Sequence, residues 1–468
     1  MVTPRALCEL ISPATMDVRF SSDWLGTRPC FYHEKSGAVS ACIHDVIDYR
    51  NLEFDPDGLT DYLAFGYCAF GHTPVRHVRV VPPCTRLVAD PAGQLREEPL
   101  PDPVDTWQGR NSSPDEALAL LAQAMNRWED SVTGEIVLPL SGGLDSRLLA
   151  HFVRDKSRVR AFTYGVSARQ ENSREVTRAH LVSARLGLAW EQIPLGDYHD
   201  RLDAWDDVFG ISTHAHGMYH MEFYERIVAR TGSGLPILSG LVGDAWAGSI
   251  APIPARSSAD LPALGLTRGQ HGATDPCRLR GEGRHRAAFW AARRARFQDP
   301  VFQIVEVIRQ KMTLLSFALL VPRRLGFVPW CPFLVPDVAL SMITLPPALR
   351  AQRRWQRDFF ARHRLDVERA AGGSRENNLD LHTLRARPPR PLDVALLREL
   401  FDTAYLTHVN RLAFAPSFAA RTWALAQGHP LGAKLASFLR APNPHHSAYA
   451  AYLTLKPLEN LLRRRNSA

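Results

Sequence analysis

Short apolar runs alternate with amphipathic segments of helical spacing through the middle of the chain. Each run is followed by a turn that contains polar residues or glycine, which is typical of buried strands. The predicted strands are 135–140, 158–164, 190–195 and 236–239, and the predicted helices are 146–153, 173–186 and 220–229. Strands that alternate with helices of this length predict a parallel, doubly wound α/β sheet.

The regions on either side of this alternation have different patterns. The first part of the chain contains short β-type runs separated by turns, with one helical stretch at Pro56 to Phe65. A helix is predicted to begin after Ser113, which can act as its N-cap, with Pro114 in its first turn. We therefore predict a β-rich domain at 1–110 and an α/β domain at 111–468, with a helical C-terminal extension from about 254.

Composition and charge are those of a globular protein with more than one domain. The chain has 468 residues, of which 45% are hydrophobic and 22% charged. Its net charge of +8 would suit a nucleic-acid partner, but only five of the 56 basic residues are lysine. We interpret the excess of arginine as a bias in amino-acid usage, and expect no nucleic-acid partner.

Three further features predict a cytoplasmic protein without a membrane span. The longest apolar run, Leu314 to Val321, is far shorter than a membrane helix. The N-terminus has no basic segment followed by an apolar one, as a signal peptide would. The seven cysteines are scattered without CxxC pairs, which favours reduced thiols.

The candidate chemistry lies between the first predicted strand and helix of the α/β domain, in Ser141-Gly142-Gly143-Leu144-Asp145-Ser146. The two glycines allow the backbone to approach an anion, and both serine hydroxyls and the first helical N–H groups can donate to phosphate oxygens. Asp145 would repel phosphate, so we expect it to bind Mg²⁺ that bridges pyrophosphate oxygens. A tight structural turn is the alternative, but the complete hexad at this junction favours a phosphate site.

This loop resembles that of the ATP-pyrophosphatase superfamily, and the order of later segments is similar to the glutamine-hydrolysing asparagine synthetase family. Ala161 to Gly165 is similar to the family's second strand, and Ile237 to Asp244 to its Ser-Gly-x-Gly-x-Asp-Glu strand and loop. Pro332 to Leu334 and Leu345-Pro346 stand where the family has its Pro-Phe-Leu-Asp segment and the following helix. The resemblance covers roughly residues 20 to 360.

The resemblance implies an adenylation domain that binds ATP and Mg²⁺. Leu140 and Tyr164 would present backbone groups to adenine, and Asp145 and Asp244 would share the Mg²⁺ ion. The family's lysine, which neutralises the leaving phosphate, is replaced by the arginines of 350–357. The implied cofactor-binding residues are Leu140, Ser141, Gly142, Gly143, Leu144, Asp145, Ser146, Tyr164, Ser239 and Gly240, and the implied catalytic residues are Asp145, Asp244 and Arg357.

The sequence departs from the family at its glutaminase domain and after Asp244. The family's nucleophile is a cysteine exposed as residue 2, whereas this chain has Val2, and Cys8 is not terminal. Asp23 to Val88 resembles only the later part of that domain, so we expect 1–110 to be a truncated, inactive Ntn-hydrolase-like domain that serves as a packing surface. Ala245 replaces the glutamate expected after Asp244, so asparagine synthesis itself is not implied.

The resemblance and these departures together imply an asparagine synthase-like, ATP-dependent carboxylate–amine ligase that releases AMP and pyrophosphate and has no glutaminase of its own. Its substrates would be a small-molecule or peptide carboxylate and an amine, and a homodimer or a pathway partner protein stays open. Relatives without the cysteine include β-lactam synthetases, lasso-peptide cyclases and members that accompany polysaccharide pathways. A cyclase, an RNA-modifying adenylating enzyme and a non-catalytic binding protein remain the alternatives.

Three histidines, His214, His216 and His220, lie between the third strand and the next helix. Their spacing is poor for metal binding, because only His216 and His220 could share one face of a helix. We expect polar residues near the substrate cleft or in a surface turn.

Overall fold

The computed structural model describes residues 17–266, 274–374, 376–415, 422 and 443–468. Val2 and Cys8, on which the prediction of an inactive glutaminase depends, lie outside the described residues.

The N-terminal part of the described chain contains two small antiparallel sheets and one helix. One sheet has the order β1-β5-β6 and the other β3-β2-β4. The elements are β1 (Asp17–Ser21), β2 (Phe31–His33), β3 (Val39–Ser40), α1 (Pro56–Phe65), β4 (Val78–Val80), β5 (Thr85–Ala89) and β6 (Leu95–Pro99). Helix α1 begins where Asp55 caps the N–H of Gly58 and ends at Gly66, which has φ 82°. The predicted β-rich start and its helix are both present.

A parallel sheet forms the centre of the molecule and confirms the predicted α/β class. Within the described residues its strands are β7 (Ile136–Pro139), β8 (Val159–Thr163), β9 (Ala189–Gln192), β10 (Pro236–Leu238) and β11 (Val328–Trp330). Their order is β11-β10-β7-β8-β9. Strands β8 and β9 are added on one side of β7 and β10 and β11 on the other, so the strand order reverses between β7 and β10. Ligands of doubly wound sheets bind at the carboxyl ends of the strands at such a reversal.

The helices that connect these strands are α2 (Pro114–Ser131), α3 (Leu144–Phe152), α4 (Arg174–Leu186), α5 (Leu202–Phe209) and α6 (Tyr219–Thr231). Helices α3, α4 and α6 lie within two residues of their predicted bounds, whereas α5 was not predicted. Ser113 accepts a hydrogen bond from the N–H of Glu116 at 3.1 Å, and Gly187 ends a helix with φ 67°.

The remainder of the described chain is mainly helical, as predicted from about residue 254. Its helices are α7 (Arg284–Arg293), α8 (Pro300–Leu315), α9 (Phe317–Arg324), α10 (Pro336–Ile343), α11 (Pro347–Arg350), α12 (Arg354–Arg362), α13 (Leu379–Ala386), α14 (Val394–Leu397), α15 (Thr403–Phe414) and α16 (Pro444–Ser467). Strand β11 was not predicted, because three residues with a central proline carry no strand pattern. None of the helices in the described residues is long and apolar enough to cross a membrane.

The β3-β2-β4 sheet shares a buried apolar cluster with the α/β domain, whereas Leu87 of the other sheet belongs to a separate cluster of N-terminal residues. Trp24 stacks on Trp246 with 6.1 Å between ring centroids, and its indole N–H donates to the carbonyl of Leu334 at 2.8 Å. Arg309 of α8 donates to the carbonyl of Trp24 and to both carboxylate oxygens of Asp102. The N-terminal residues therefore support the segments that follow β10 and β11.

Candidate functional site

The glycine loop joins β7 to α3 where the strand order reverses. Gly142 has φ 66°, and a Cβ there would lie 2.5 Å from Cβ of Arg178 and 2.8 Å from the nitrogen of Ala179. Helix α4 can therefore approach the loop only because residue 142 is glycine. A Cβ at Gly143 would meet only the hydroxyl of Ser141, at 3.2 Å. That side of the start of α3 is open to a ligand.

The serines and Leu140 lie at the base of this loop. The hydroxyls of Ser141 and Ser146 are 3.1 Å apart. The N–H of Leu140 donates to the carbonyl of Phe162 at 2.8 Å, and its carbonyl accepts from the hydroxyl of Thr163. The N–H of Leu140 is thus engaged inside the sheet, and only its carbonyl retains a lone pair for a ligand such as adenine.

Tyr164, the second residue expected near adenine, follows β8 at the same edge of the sheet. Its ring packs against Tyr219 and Phe223 of α6, at 5.5 and 5.0 Å between centroids. Its side chain thus joins β8 to the first turn of α6. The backbone contact with adenine stays a prediction.

The loop after β10 lies directly against the start of α3. A Cβ at Gly243 would be 3.0 Å from the carboxyl carbon of Asp145, and one at Gly240 would be 3.5 Å from the nitrogen of Ser146. Val242 between them has φ 55°, which a β-branched residue rarely adopts. The structure thus brings the two predicted segments, 141–146 and 239–244, into contact.

Asp145 lies where these segments meet. Its carboxylate accepts hydrogen bonds from Arg353 and from Gln356, the latter at 3.4 Å. Burial and the nearby charge of Asp244 raise the pKa of Asp145 to about 6, although Arg353 acts to lower it. A bound cation beside this carboxylate would favour its ionised form and lower its pKa.

Arg353 is the cation that contacts Asp145, and the catalytic role expected of Arg357 stays a prediction. Gln352 and Arg353 have φ values of 51° and 59°, and this pair of left-handed residues turns the Arg353 side chain toward the site. Gln356 faces Asp145 from the first turn of α12 and is fully buried. Arg357 lies about 100° further around that helix and is exposed to solvent.

The carboxylates of Asp145 and Asp244 fit the requirements of Mg²⁺. Asp244 is exposed and accepts a hydrogen bond from Ser249 at 3.0 Å. Mg²⁺ is commonly held by one or two carboxylates together with substrate phosphates and water. No group of three or more potential metal ligands occurs among the described residues, so phosphate oxygens would complete the coordination.

Arg147 holds the glycine loop of 141–146 in place through hydrogen bonds. It is fully buried and donates to the carbonyls of Gly142 and Leu365, both at 2.8 Å. It also binds both carboxylate oxygens of Glu368, at 2.8 and 3.2 Å. Burial acts to raise the pKa of Glu368, but the bonds from Arg147 outweigh it and hold that pKa below its usual value. Arg147 is next to the recognised hexad, yet its role was not predicted.

The three histidines have separate surroundings. His214 is buried, with Nε2 at 3.1 Å from the hydroxyl of Thr454, so it does not lie in a surface turn. His216 pairs with Asp380 at 2.9 Å, and the ring of His220 packs edge-on against Phe317 at 4.8 Å. They connect α6 to the C-terminal helices.

The protonation of Asp145 provides a direct test of this geometry. We expect its carboxyl to titrate at about pH 6 in the protein without nucleotide, because burial disfavours the charged form. Asp244→Asn should lower this pKa and Arg353→Met should raise it, since one removes a like charge and the other an opposite one. Carbon-detected NMR titration of labelled aspartates checks the prediction, and a midpoint near pH 4 would contradict it.

Comparison with family models matches residues 116–257 to the asparagine synthase family. The matched segment begins in α2 and includes both loops of the site, with Asp145 and Asp244. No curated protein matches the chain.

Proposed function

We propose that the protein activates a carboxylate with ATP as an acyl-adenylate and passes the acyl group to an amine, because residues 116–257 match the asparagine synthase family model. The products would be an amide, AMP and pyrophosphate. The family match supports an ATP-dependent, amide-forming ligase in general terms. The adenylate and the absence of a glutaminase are our proposals.

The contact between segments 141–146 and 239–244 carries the proposal. A flexible glycine loop, two hydroxyls and a helix start form a site for phosphate oxygens, and two carboxylates lie beside it. Both segments follow neighbouring parallel strands, β7 and β10, at the reversal of strand order. A nucleoside triphosphate with its metal ion is the ligand class that needs a phosphate loop and two carboxylates side by side.

Each residue of the site has a distinct task in this reaction. Ser141, Ser146 and the first N–H groups of α3 would bind phosphate oxygens, while Asp145 and Asp244 would hold Mg²⁺. When bound, the ion would neutralise charge on the pyrophosphate. Arg353, which contacts Asp145 in this structure, would be placed to bind phosphate through two N–H groups. An arginine there neutralises charge without donating a proton.

The amine would come from ammonia or from a second substrate. No glutaminase step is part of this proposal. The N-terminal sheets would instead act as support, since Trp24 contacts both Trp246 and Leu334 near the site.

The fate of the carboxylate oxygen tests the reaction class. The protein is incubated with Mg²⁺, ATP, hydroxylamine and a panel of ¹⁸O-labelled carboxylic acids. Adenylation transfers one labelled oxygen to AMP, because a carboxylate oxygen attacks the α-phosphate and pyrophosphate leaves. The amine then attacks the acyl carbon, and the bond between that carbon and the labelled oxygen breaks. Accumulation of ADP, with the label in inorganic phosphate, would show an acyl-phosphate mechanism and contradict the proposal.

A further inference from the structure

A second group of ionisable side chains lies at the carboxyl edge of the parallel sheet. Asp380, in the first turn of α13, accepts a hydrogen bond from the hydroxyl of Tyr198 at 2.7 Å and lies 2.9 Å from Nε2 of His216. Tyr198 follows β9, and the N–H of Leu379 donates to the carbonyl of Val166, just after β8, at 3.0 Å. The group therefore lies at the edge of the sheet from which the glycine loop also emerges.

Asp380 determines which nitrogen of the His216 ring carries the proton. Burial acts to raise the pKa of Asp380, but His216 and Tyr198 outweigh it and hold that pKa well below its usual value. An ionised carboxylate can only accept a hydrogen bond, so Nε2 of His216 carries the proton and the lone pair is on Nδ1. Among the described residues Nδ1 has no hydrogen-bond partner, and the side chain is 26% exposed. The lone pair of Nδ1 is thus available to a proton donor from outside the protein.

His216 is one side chain away from the cavity beside Asp244. The rings of His216 and Tyr219 are 5.4 Å apart, and Tyr219 lines the same cavity of about 690 Å³ as Asp244. Tyr219 also contacts Tyr164, the residue expected near adenine. The imidazole thus lies beside the space in which an amine would meet the adenylate.

The proposed reaction needs a proton acceptor that the residues assigned to the nucleotide do not provide. An amine that attacks the acyl carbon becomes positively charged and must lose a proton. Arg353 stays protonated and cannot accept one, while Asp145 and Asp244 are assigned to Mg²⁺. An imidazole with a lone pair is the side chain suited to this task near neutral pH.

We propose that Nδ1 of His216 accepts the proton of the attacking amine, and that Asp380 and Tyr198 position the imidazole for this step. The assignment rests on the proposed function and adds the proton acceptor to it. The bond between nitrogen and the acyl carbon forms, and the bond between that carbon and the bridging oxygen breaks with its electron pair left on AMP. The proton moves from the amine nitrogen to Nδ1, from which it passes to water.

Two partial reactions separate this step from adenylation. Exchange of labelled pyrophosphate into ATP requires an acid but no amine, whereas amide formation with ammonium chloride requires both, and each is measured with the carboxylic acids of the oxygen-labelling experiment. His216→Gln should lower the ratio of amide formation to exchange about a hundredfold, because a general base commonly contributes at least this factor. His382→Gln removes an exposed histidine of α13 and should keep the wild-type ratio. An unchanged ratio in His216→Gln would overturn the assignment.

The tautomer of His216 tests the position of its lone pair without any substrate. In ¹⁵N NMR spectra of the histidine-labelled protein under alkaline conditions, the signals that are absent from His216→Gln identify this ring. We expect the proton on Nε2 in the wild type, and a mixture of both tautomers in Asp380→Leu, which is similar in size but has no acceptor. A proton on Nδ1 in the wild type would contradict the assignment, because that nitrogen could then not accept one. The same tautomer in Asp380→Leu as in the wild type would show that Asp380 does not position the ring.

Pyrophosphate exchange in the wild type distinguishes this assignment from the proposed function. If no acid supports exchange, the proposed function itself fails. If exchange occurs and His216→Gln keeps the wild-type ratio of amide formation to exchange, only the role of His216 is overturned.

Discussion

An Asp145→Asn variant is expected to lose about a thousandfold in turnover, because a metal ion in such a site lowers the activation free energy by several kcal/mol. The amide keeps the size of the carboxyl group but not its charge, so affinity for Mg²⁺ falls. Thermal stability should change little, since burial already disfavours the ionised carboxyl, whose pKa is raised to about 6. Steady-state release of pyrophosphate and a thermal melt provide the two measurements.

The control for this experiment is Asp358→Asn. Asp358 is exposed on α12, where it pairs with Arg354 at 3.6 Å, and its loss should leave turnover unchanged. Asp244→Asn should reproduce the defect of Asp145→Asn if the two carboxylates share one ion. Normal turnover in Asp244→Asn would exclude Asp244 as a metal ligand.

An Arg147→Met variant is expected to lose about 3 kcal/mol of unfolding free energy, because two buried backbone carbonyls lose a charged hydrogen-bond donor. Methionine fills much of the same volume but leaves the carbonyls of Gly142 and Leu365 without their donor. The guanidinium also lies over the ring of Phe360, 4.9 Å from its centroid, and that contact is lost as well. Urea unfolding monitored by circular dichroism measures the change.

Arg354→Met serves as the matched control, because its side chain is 67% exposed and its ion pair with Asp358 lies in solvent. It should unfold at nearly the same urea concentration as the wild type. Equal stability of Arg147→Met and Arg354→Met would mean that the buried contacts of Arg147 make no net contribution to the free energy of unfolding.

Local signals in the sequence were sufficient to predict most of the strands and helices that position the site. Ser113 and Pro114 mark the start of α2, and Gly187 marks the end of α4, because caps act within a few residues. The apolar run before Ser141 predicted β7, and the order of strands and helices predicted the parallel sheet. The position of the site at the carboxyl edge follows from that topology.

The features that the sequence did not predict depend on contacts between distant segments. Arg353 reaches Asp145, 208 positions earlier, only because two consecutive residues adopt left-handed backbone conformations. Hydrophobic periodicity does not predict such a turn, so the sequence does not single out Arg353 within an arginine-rich segment. Strand β11 is another case, because its three residues form a strand only by pairing with β10.

Calorimetric titration of Mg²⁺·ATP tests the central claim most directly. The best variant is Gly143→Val, because residue 143 has an extended backbone conformation, with φ −71° and ψ 175°. Valine is compatible with that conformation and needs room only beside Ser141, so the fold should persist while the phosphate site is filled. We predict saturable binding to the wild type, weaker binding to Asp145→Asn and none to Gly143→Val. Equal affinity in all three proteins, or no binding to the wild type, would contradict the assignment of this loop to ATP.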